Sequence, residues 1–183
     1  MIYDCIVIGS GIVGLSVAYS YSKKYPNNNL LVIEKESSFS MHQTGNNSGA
    51  IHSGIYYKPG SLKAENCQKG YKMMIDFAQN HNIHHEICGK IIVATNNEEN
   101  VTLEEIYNRG VSNGLKEIKL LSPSEIKDFE PNCVGVRGIR VPQTGIINYK
   151  DVAKKIVQLL KKKNIEIVFN NMVRKIINNN IIQ

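Results

Sequence analysis

The sequence predicts an α/β fold in which a parallel sheet is covered by helices and interrupted by an α+β insertion. Two apolar runs near the amino terminus, residues 3–8 and 30–33, flank a helix-length segment and are typical of buried parallel strands. A third run, residues 165–169, follows an amphipathic segment near the carboxyl end. Residues 80–148 mix strand and helix patterns, which indicates a separate insertion.

The first 34 residues predict one strand–helix–strand unit. The predicted helix spans residues 11–25, with Ile12, Leu15 and Ala18 towards the sheet, and Pro26 ends it. The second strand stops at Glu34. This length, about 30 residues, is that of a βαβ unit.

Residues 37–61 have no hydrophobic period, and a loop of that length inside a domain is usually functional. Ser122, Pro123 and Glu125 have the spacing of a helix start with a capping box. Asn148 and Asp151 begin another helix. The remaining predicted elements are helices over 62–80 and 98–113 and strands over 90–94, 134–141, 165–169 and 172–177. The predicted domains are residues 1–79 with 149–183, and 80–148.

Composition limits the function classes. With 183 residues, 42% apolar, the chain has material for a sizeable core, and no apolar run has the roughly 18–20 residues of a membrane span. Asp4 stands where a signal peptide would be basic, so we expect a cytoplasmic protein. The net charge of +6 comes mainly from dispersed lysines, so we expect no nucleic-acid partner. The cysteines are isolated, with no pair at metal-ligand spacing, and the residues around His84 do not complete a ligand set. We therefore expect no metal site.

Residues 9–14 form a G-x-G-x-x-G fingerprint between the first strand and the first helix. Gly9 permits a tight turn, Gly11 lets the backbone approach a diphosphate, and Gly14 lets helix and strand pack closely. Glu34, 20 residues past Gly14, would accept hydrogen bonds from a ribose and repel a 2′-phosphate. The pattern predicts a Rossmann-like dinucleotide site, for FAD or NAD. Its early position favours FAD, and a glycine turn without nucleotide is the alternative.

A second block, residues 42–64, is dense in small, amide and hydroxyl side chains. Together with the fingerprint and residues 88–94 and 141–149, it resembles the L-2-hydroxyglutarate oxidase/dehydrogenase family, one of the D-amino-acid-oxidase-like flavoproteins. The resemblance covers essentially the whole chain. It implies a Rossmann-like FAD-binding domain with an inserted α+β substrate domain, truncated at the carboxyl end because family chains are about twice as long. It further implies that this chain alone binds FAD weakly or is poorly soluble.

The resemblance also implies the chemistry. L-2-Hydroxyglutarate would be oxidised to 2-oxoglutarate by hydride transfer from C2 to flavin N5. Electrons would pass to oxygen or a quinone, with peripheral membrane association through the remaining half. A related enzyme acting on glycerol 3-phosphate or a sarcosine-like amino acid, or a non-catalytic nucleotide-binding remnant, are the alternatives.

By family position, each candidate residue has an implied role. Glycines 9, 11 and 14 would hold the diphosphate, Glu34 the ribose, and Lys35 would flank the adenosine. Val173 would meet the adenine through its backbone. His52 would lie near the flavin ring, as a base or as a packing or structural residue. Residues implied to line the flavin or its phosphates are Thr44, Asn47, Ser48 and Gly49.

Overall fold

The structure is a computed structural model that describes residues 2–177 and 180–182. In chain order its elements are β1 (Cys5–Ile8), α1 (Ile12–Lys24), β2 (Leu30–Ile33), β3 (Ala50–Ile51), α2 (Leu62–Asn80), β4 (His85–Glu86), β5 (Lys90–Ala94), α3 (Glu99–Ser112), β6 (Lys119–Leu121), α4 (Pro123–Phe129), β7 (Arg137–Val141), β8 (Gly145–Ile147), α5 (Tyr149–Lys162), β9 (Glu166–Val168), β10 (Lys175–Ile177) and β11 (Asn180–Ile182).

The chain packs as two compact units. The first unit comprises Met1–Ser48 and Asn148–Gln183, and the second comprises Gly49–Ile147. The sequence prediction placed residues 49–79 with the first domain, whereas packing places them in the second unit. The reason is long-range pairing: β3 is antiparallel to β8, and Ile55 belongs to the core of the second unit. The names FAD-binding domain and substrate domain stay predictions.

The first unit is built on a parallel sheet with the order β1-β2-β9. All four residues of the central strand β2 are buried, as expected for a strand covered on both faces. The helices α1 and α5 pack against each other. Leu15 and Ala18 of α1 are fully buried, as the helical spacing predicted. The strands β10 and β11 form an antiparallel hairpin.

The second unit contains two antiparallel sheets, ordered β3-β8-β4 and β5-β7-β6. Its core cluster combines side chains from a loop, a helix and two strands of the second sheet: Ile55, Leu103, Ala94, Ile139 and Val141. The capping box predicted at Ser122 is confirmed, since its hydroxyl accepts from the Glu125 amide while the Glu125 carboxylate accepts from the Ser122 amide.

The predicted α/β fold with a parallel sheet and an α+β second part is confirmed. Strands β3, β4, β6 and β8, which the sequence did not predict, have only two or three residues each, too few to show a period. The strand predicted over 172–177 is shorter, beginning at Lys175. No helix in the described part of the chain has both the length and the apolar character needed to span a bilayer. Residues 2–177 and 180–182 hold no cluster of three or more potential metal ligands.

Candidate functional site

The turn after β1 requires glycine at two of its fingerprint positions. Gly9 has a φ of +98°, a conformation that side-chain-bearing residues rarely adopt, and a Cβ there would meet no atom within 4 Å. A Cβ on Gly14 would lie 2.0 Å from the Gly9 carbonyl oxygen. The first glycine therefore leaves open space above the turn, and the last one allows α1 to pack directly on it.

The backbone amides of this turn fall into two groups. Three N–H groups donate within the protein: Gly9 to the Ile33 carbonyl at 2.8 Å, Ser10 to the Glu34 carboxylate, and Ile12 to Thr44 Oγ1 at 2.9 Å. The amides of Gly11, Val13 and Gly14 have no acceptor among the described residues. Free N–H groups at a helix start, at the positive end of its dipole, form an anion site.

Thr44, which lies 32 positions after Ile12 in sequence, caps the amino-terminal end of α1. The cap residue Gly11 has no side chain that can accept a hydrogen bond, and the Thr44 hydroxyl takes that role for the Ile12 amide. A Cβ on Gly11 would lie 3.3 Å from Thr44 Oγ1. Glycine at position 11 is thus tied to the packing of Thr44 as well as to access for a ligand.

The Glu34 carboxylate is buried directly after β2. Its Oε2 accepts from the Ser10 amide at 2.7 Å and from the Ser10 hydroxyl at 2.8 Å, and its Oε1 accepts from the Glu36 amide at 3.0 Å. Burial raises the pKa of Glu34, but these hydrogen bonds outweigh it and hold the pKa below its ordinary value. The group is therefore an anion at neutral pH, and Oε1 retains acceptor capacity.

A cleft of about 340 Å³ in the first unit adjoins these groups. Backbone hydrogen bonds bring the segment after β9 to its wall, because the Asn171 amide donates to the Glu34 carbonyl and the Asn170 amide to the Glu36 carbonyl, both at 2.9 Å. The cleft is lined by residues from the turn, the end of β2, the following loop and the segment after β9: Ile8, Gly9, Gly11, Ile33, Glu34, Lys35, His42, Asn171, Met172 and Val173.

Five of the predicted site residues thus line one cleft: Gly9, Gly11, Glu34, Lys35 and Val173. His42, Asn171 and Met172 also line it, although they are not among the predicted site residues. His42 belongs to the block that carries the family resemblance, and Asn171 and Met172 immediately precede Val173. Their positions in the sequence, next to predicted site residues, could therefore have indicated that they line the cleft.

Lys35 and His42 share one acceptor at the edge of the cleft. The Glu36 Oε1 atom lies 2.8 Å from His42 Nε2 and 3.5 Å from Lys35 Nζ. The hydrogen bond from His42 and the charge of Lys35 lower the pKa of Glu36. The Lys35–Glu36 ion pair and the His42–Glu36 hydrogen bond are partly exposed, so they orient the two side chains rather than stabilise the fold appreciably.

The other predicted residues of the first unit do not line the cleft: Gly14, Thr44, Asn47 and Ser48. The Asn47 amide group donates to the carbonyls of Gln43 and Thr44, at 3.1 and 2.7 Å. It therefore holds the turn that carries the Thr44 hydroxyl. Ser48 is exposed and is the last residue of the first of the two segments that make up this unit.

Gly49 and His52 belong to the second unit. Gly49 has a φ of +70°, and its carbonyl accepts from the Ile147 amide at 2.8 Å. The His52 side chain is exposed, and its imidazole has no hydrogen-bond partner among the described residues. Its backbone carbonyl accepts from Cys67 Sγ at 3.3 Å.

The loop after His52 is anchored by long-range contacts. Ile55 is 1% exposed and packs in the core cluster. The Asn113 side-chain amide donates to the carbonyls of Gly54 at 3.2 Å and Tyr57 at 2.9 Å. The loop that presents His52 is thus fixed by residues distant in sequence, among them Asn113, which lies 59 positions from Gly54.

A family model described as "FAD dependent oxidoreductase" matches residues 4–182. The chain belongs to the FAD dependent oxidoreductase family. The predicted family-level fold and FAD dependence are thereby confirmed.

Relatives and solved structures agree with this assignment. The chain is 48% identical over 158 residues to L-2-hydroxyglutarate dehydrogenase of Indibacter alkaliphilus, covering 86% of this chain and 40% of that protein. It is 40% identical over 174 residues to the human mitochondrial L-2-hydroxyglutarate dehydrogenase, covering 95% and 38%, and 39% identical over 168 residues to that of Escherichia coli, covering 92% and 40%. The chain thus spans well under half the length of these relatives.

Among solved structures, dithionite-reduced L-α-glycerophosphate oxidase from Mycoplasma pneumoniae with FAD bound has a TM-score of 0.87 and 26% identity, covering 95% of this chain and 46% of that one. Glycine oxidase from Geobacillus kaustophilus has a TM-score of 0.82 at 18% identity, covering 93% and 47%, and shows the fold alone.

The residues of this FAD dependent oxidoreductase chain fit the cofactor of its family. The open space above Gly9 and the three free amides suit a diphosphate. The buried, ionised Glu34 on the cleft wall suits ribose hydroxyls and disfavours a 2′-phosphate. The fit covers the adenosine diphosphate part of the dinucleotide and involves residues of the first unit alone.

Proposed function

We propose that this chain is the nucleotide-binding part of an enzyme that oxidises L-2-hydroxyglutarate to 2-oxoglutarate with FAD. The observation that carries the proposal is sequence identity: relatives 39–48% identical over most of this chain bear the name L-2-hydroxyglutarate dehydrogenase. The first unit supports the cofactor part of the proposal, because a diphosphate-type turn and a ribose-type carboxylate share one cleft.

We assign the nucleotide-binding roles as follows. The amides of Gly11, Val13 and Gly14 bind the diphosphate, and Glu34 accepts hydrogen bonds from the adenosine ribose. Lys35 flanks the adenosine, and the backbone of Val173 meets the adenine. Thr44, Asn47, Ser48 and Gly49 line the flavin or its phosphates, as the resemblance implies.

Bound FAD supplies the electron-accepting chemistry that side chains lack. The protein must also remove a proton, because oxidation of an alcohol to a ketone releases one proton and one hydride. We propose that His52 takes the proton from the C2 hydroxyl. Support for this role comes from its exposed imidazole on an anchored loop and from the ring nitrogen of a neutral imidazole, which can accept a proton.

The substrate assignment is tested with the purified full-length protein. We expect it to carry FAD and to convert L-2-hydroxyglutarate, with little turnover of the D-enantiomer. Glycerol 3-phosphate is the second candidate, because the glycerophosphate oxidase structure is similar in fold at 26% identity. Preference for glycerol 3-phosphate would overturn the hydroxyglutarate assignment. A flavin-loaded protein that turns over neither substrate would indicate the non-catalytic alternative.

The role of His52 is tested with His52→Gln in the same protein. Loss of a general base lowers turnover by about 10²- to 10⁴-fold, and we expect FAD content to stay unchanged. The matched control is His84→Gln, since His84 is also exposed in the second unit. Unchanged turnover in His52→Gln would leave His52 with a packing or structural role.

We further propose that electrons leave to oxygen or to a quinone, in a cytoplasmic protein that associates peripherally with the membrane. Peroxide formation during turnover would identify oxygen, and reduction of a soluble quinone without peroxide would identify the quinone. Cell fractionation at low and high salt would test the peripheral association, because an electrostatic surface contact is released by salt.

A further inference from the structure

We propose that Ser10, the residue between the first two fingerprint glycines, is a positioning residue that fixes Glu34 for recognition of the adenosine ribose. The inference rests on the proposed ribose-binding role of Glu34 and adds a residue that acts through it. Ser10 would contribute to nucleotide affinity without contacting the nucleotide.

The geometry is a two-donor clamp on one carboxylate oxygen. The Ser10 amide lies 2.7 Å and the Ser10 hydroxyl 2.8 Å from Glu34 Oε2. Ser10 is fully buried and Glu34 is 8% exposed, so water does not replace these donors easily. Hydrogen bonds to a charged group in a buried site are the strong ones. The clamp therefore selects one orientation of the carboxylate and leaves Oε1 with acceptor capacity.

Every polar group of Ser10 has a partner inside the protein. Its carbonyl accepts from the Ser40 amide at 3.3 Å, while its amide and hydroxyl both donate to Glu34. This distribution differs from that of Gly11, whose amide has no acceptor among the described residues. Ser10 is thus committed to the protein, and its neighbour is available to a ligand.

The clamp also joins the two halves of the proposed nucleotide site. Gly9 donates its amide to the carbonyl of Ile33, the last residue of β2, and Ser10 donates to the next residue, Glu34. The turn beneath the diphosphate and the carboxylate for the ribose are therefore held in one hydrogen-bonded arrangement. Loss of the Ser10 hydroxyl would loosen the carboxylate while leaving the turn amides in place.

The experiment compares nucleotide analogues rather than activity. The full-length apoprotein is titrated with FAD and with FAD analogues that lack the 2′- or the 3′-hydroxyl of the adenosine ribose, and quenching of flavin fluorescence gives Kd. We expect the original protein to bind FAD at least about tenfold more tightly than one of the analogues, the effect of about one charged hydrogen bond. In Ser10→Ala this ratio should fall below about threefold, with the Kd of the analogue nearly unchanged.

Ser40→Ala is the matched control. Ser40 is 4% exposed, and its hydroxyl has no hydrogen-bond partner among the described residues, so this variant removes an equally buried hydroxyl from the same unit. It should keep the discrimination between FAD and the analogues. If Ser10→Ala fails to fold, Ser10→Gly removes the same hydroxyl next to two glycines and gives the same comparison.

The outcomes distinguish failure of the Ser10 inference from failure of the proposed ribose-binding role of Glu34. Equal weakening of FAD and the analogues in Ser10→Ala would mean a general structural role and overturn the inference. Discrimination that survives the loss of the hydroxyl would overturn it as well. If the original protein itself binds FAD and both analogues equally, the ribose role of Glu34 is wrong, and the inference falls with it.

Discussion

The two units hold their candidate residues in opposite ways. In the first unit the Glu34 carboxylate is buried and receives three hydrogen bonds. In the second unit the His52 side chain is exposed, and the structure fixes the loop around it instead. The group proposed to recognise the cofactor is thus oriented by hydrogen bonds within the protein. The group proposed to move a proton has an imidazole with no hydrogen-bond partner in the described part of the chain, on a loop that long-range contacts hold.

This difference follows from the chemistry proposed for each residue. A carboxylate that binds hydroxyls gains affinity when its orientation is set in advance, because less freedom is lost on binding. A base must exchange a proton, so internal partners that hold both ring nitrogens would oppose its role. In the first unit, hydrogen bonds therefore orient the Glu34 side chain itself. In the second unit, contacts fix the main chain of the loop and leave the His52 side chain without internal partners among the described residues.

The largest expected effect tests the packing of the glycine turn in the first unit. Gly14→Ala places a Cβ 2.0 Å from the Gly9 carbonyl, a backbone atom that cannot move aside without opening the turn. We expect the free energy of unfolding to fall by about 3 kcal/mol, the upper end of the usual cost of overpacking, in urea denaturation, together with loss of FAD binding.

Gly70→Ala is the control for Gly14→Ala. Gly70 lies in α2, and a Cβ there meets no atom within 4 Å. Alanine is the better helix former by up to about 1 kcal/mol, so this variant should be neutral or stabilising. Equal stability of the two variants would show that the turn is not packed as described.

The next effect tests the anchored loop. Ile55→Ala removes a side chain that is 1% exposed from the core cluster of the second unit, and such a change typically costs about 2–5 kcal/mol. Urea denaturation of the variant measures that loss. Ile146→Ala, at a position 50% exposed in the same unit, should cost less than about 1 kcal/mol. A small effect at both positions would mean that the loop is not held by its apolar anchor.

The same contrast explains what the sequence could predict. The nucleotide site depends on a local pattern: glycines within six residues, a helix that begins among them, and a carboxylate at the end of the next apolar run. Strand β2 and helix α2 also have the predicted bounds, because their apolar residues follow a clear period or run. Local geometry of this kind is encoded in adjacent residues, so it can be read without knowing the fold.

The loop at His52 is encoded differently. Ile55 is one apolar residue in a polar stretch, and its burial depends on Leu103 and Ile139, far along the chain. Asn113 is similarly inconspicuous in the sequence, although it donates to two carbonyls of this loop. The clamp of Ser10 on Glu34 was missed for a related reason: the fingerprint assigns meaning to its glycines and none to the residue between them.

A smaller effect tests the polar anchor of the loop. Asn113→Ala removes the donor to the carbonyls of Gly54 and Tyr57, and we expect a loss of about 1–3 kcal/mol in urea denaturation if those oxygens stay dry. Asn97→Ala, at an exposed position of the same unit, should change stability by less than about 0.5 kcal/mol. Equal, small effects would mean that water replaces the Asn113 amide and that apolar packing alone fixes the loop.

The smallest effect concerns a carboxylate of the second unit whose pKa is also lowered, but for another reason. Hydrogen bonds from Lys119 and from the amide and hydroxyl of Ser122 lower the pKa of Glu125 to about 2, from an ordinary 4.5. Because the folded pKa is depressed, the contribution of Glu125 to stability is complete above about pH 4.5 and is lost as the pH falls towards 2.

Denaturation midpoints of Glu125→Gln should lie below those of the original protein at pH 7 and converge with them near pH 2. Glu130→Gln, at the exposed end of α4, should leave the difference small throughout. A difference in denaturation midpoint between Glu125→Gln and the original protein that stays constant across this pH range would contradict the prediction. It would show that the shape of the side chain, rather than its charge, stabilises the capping box.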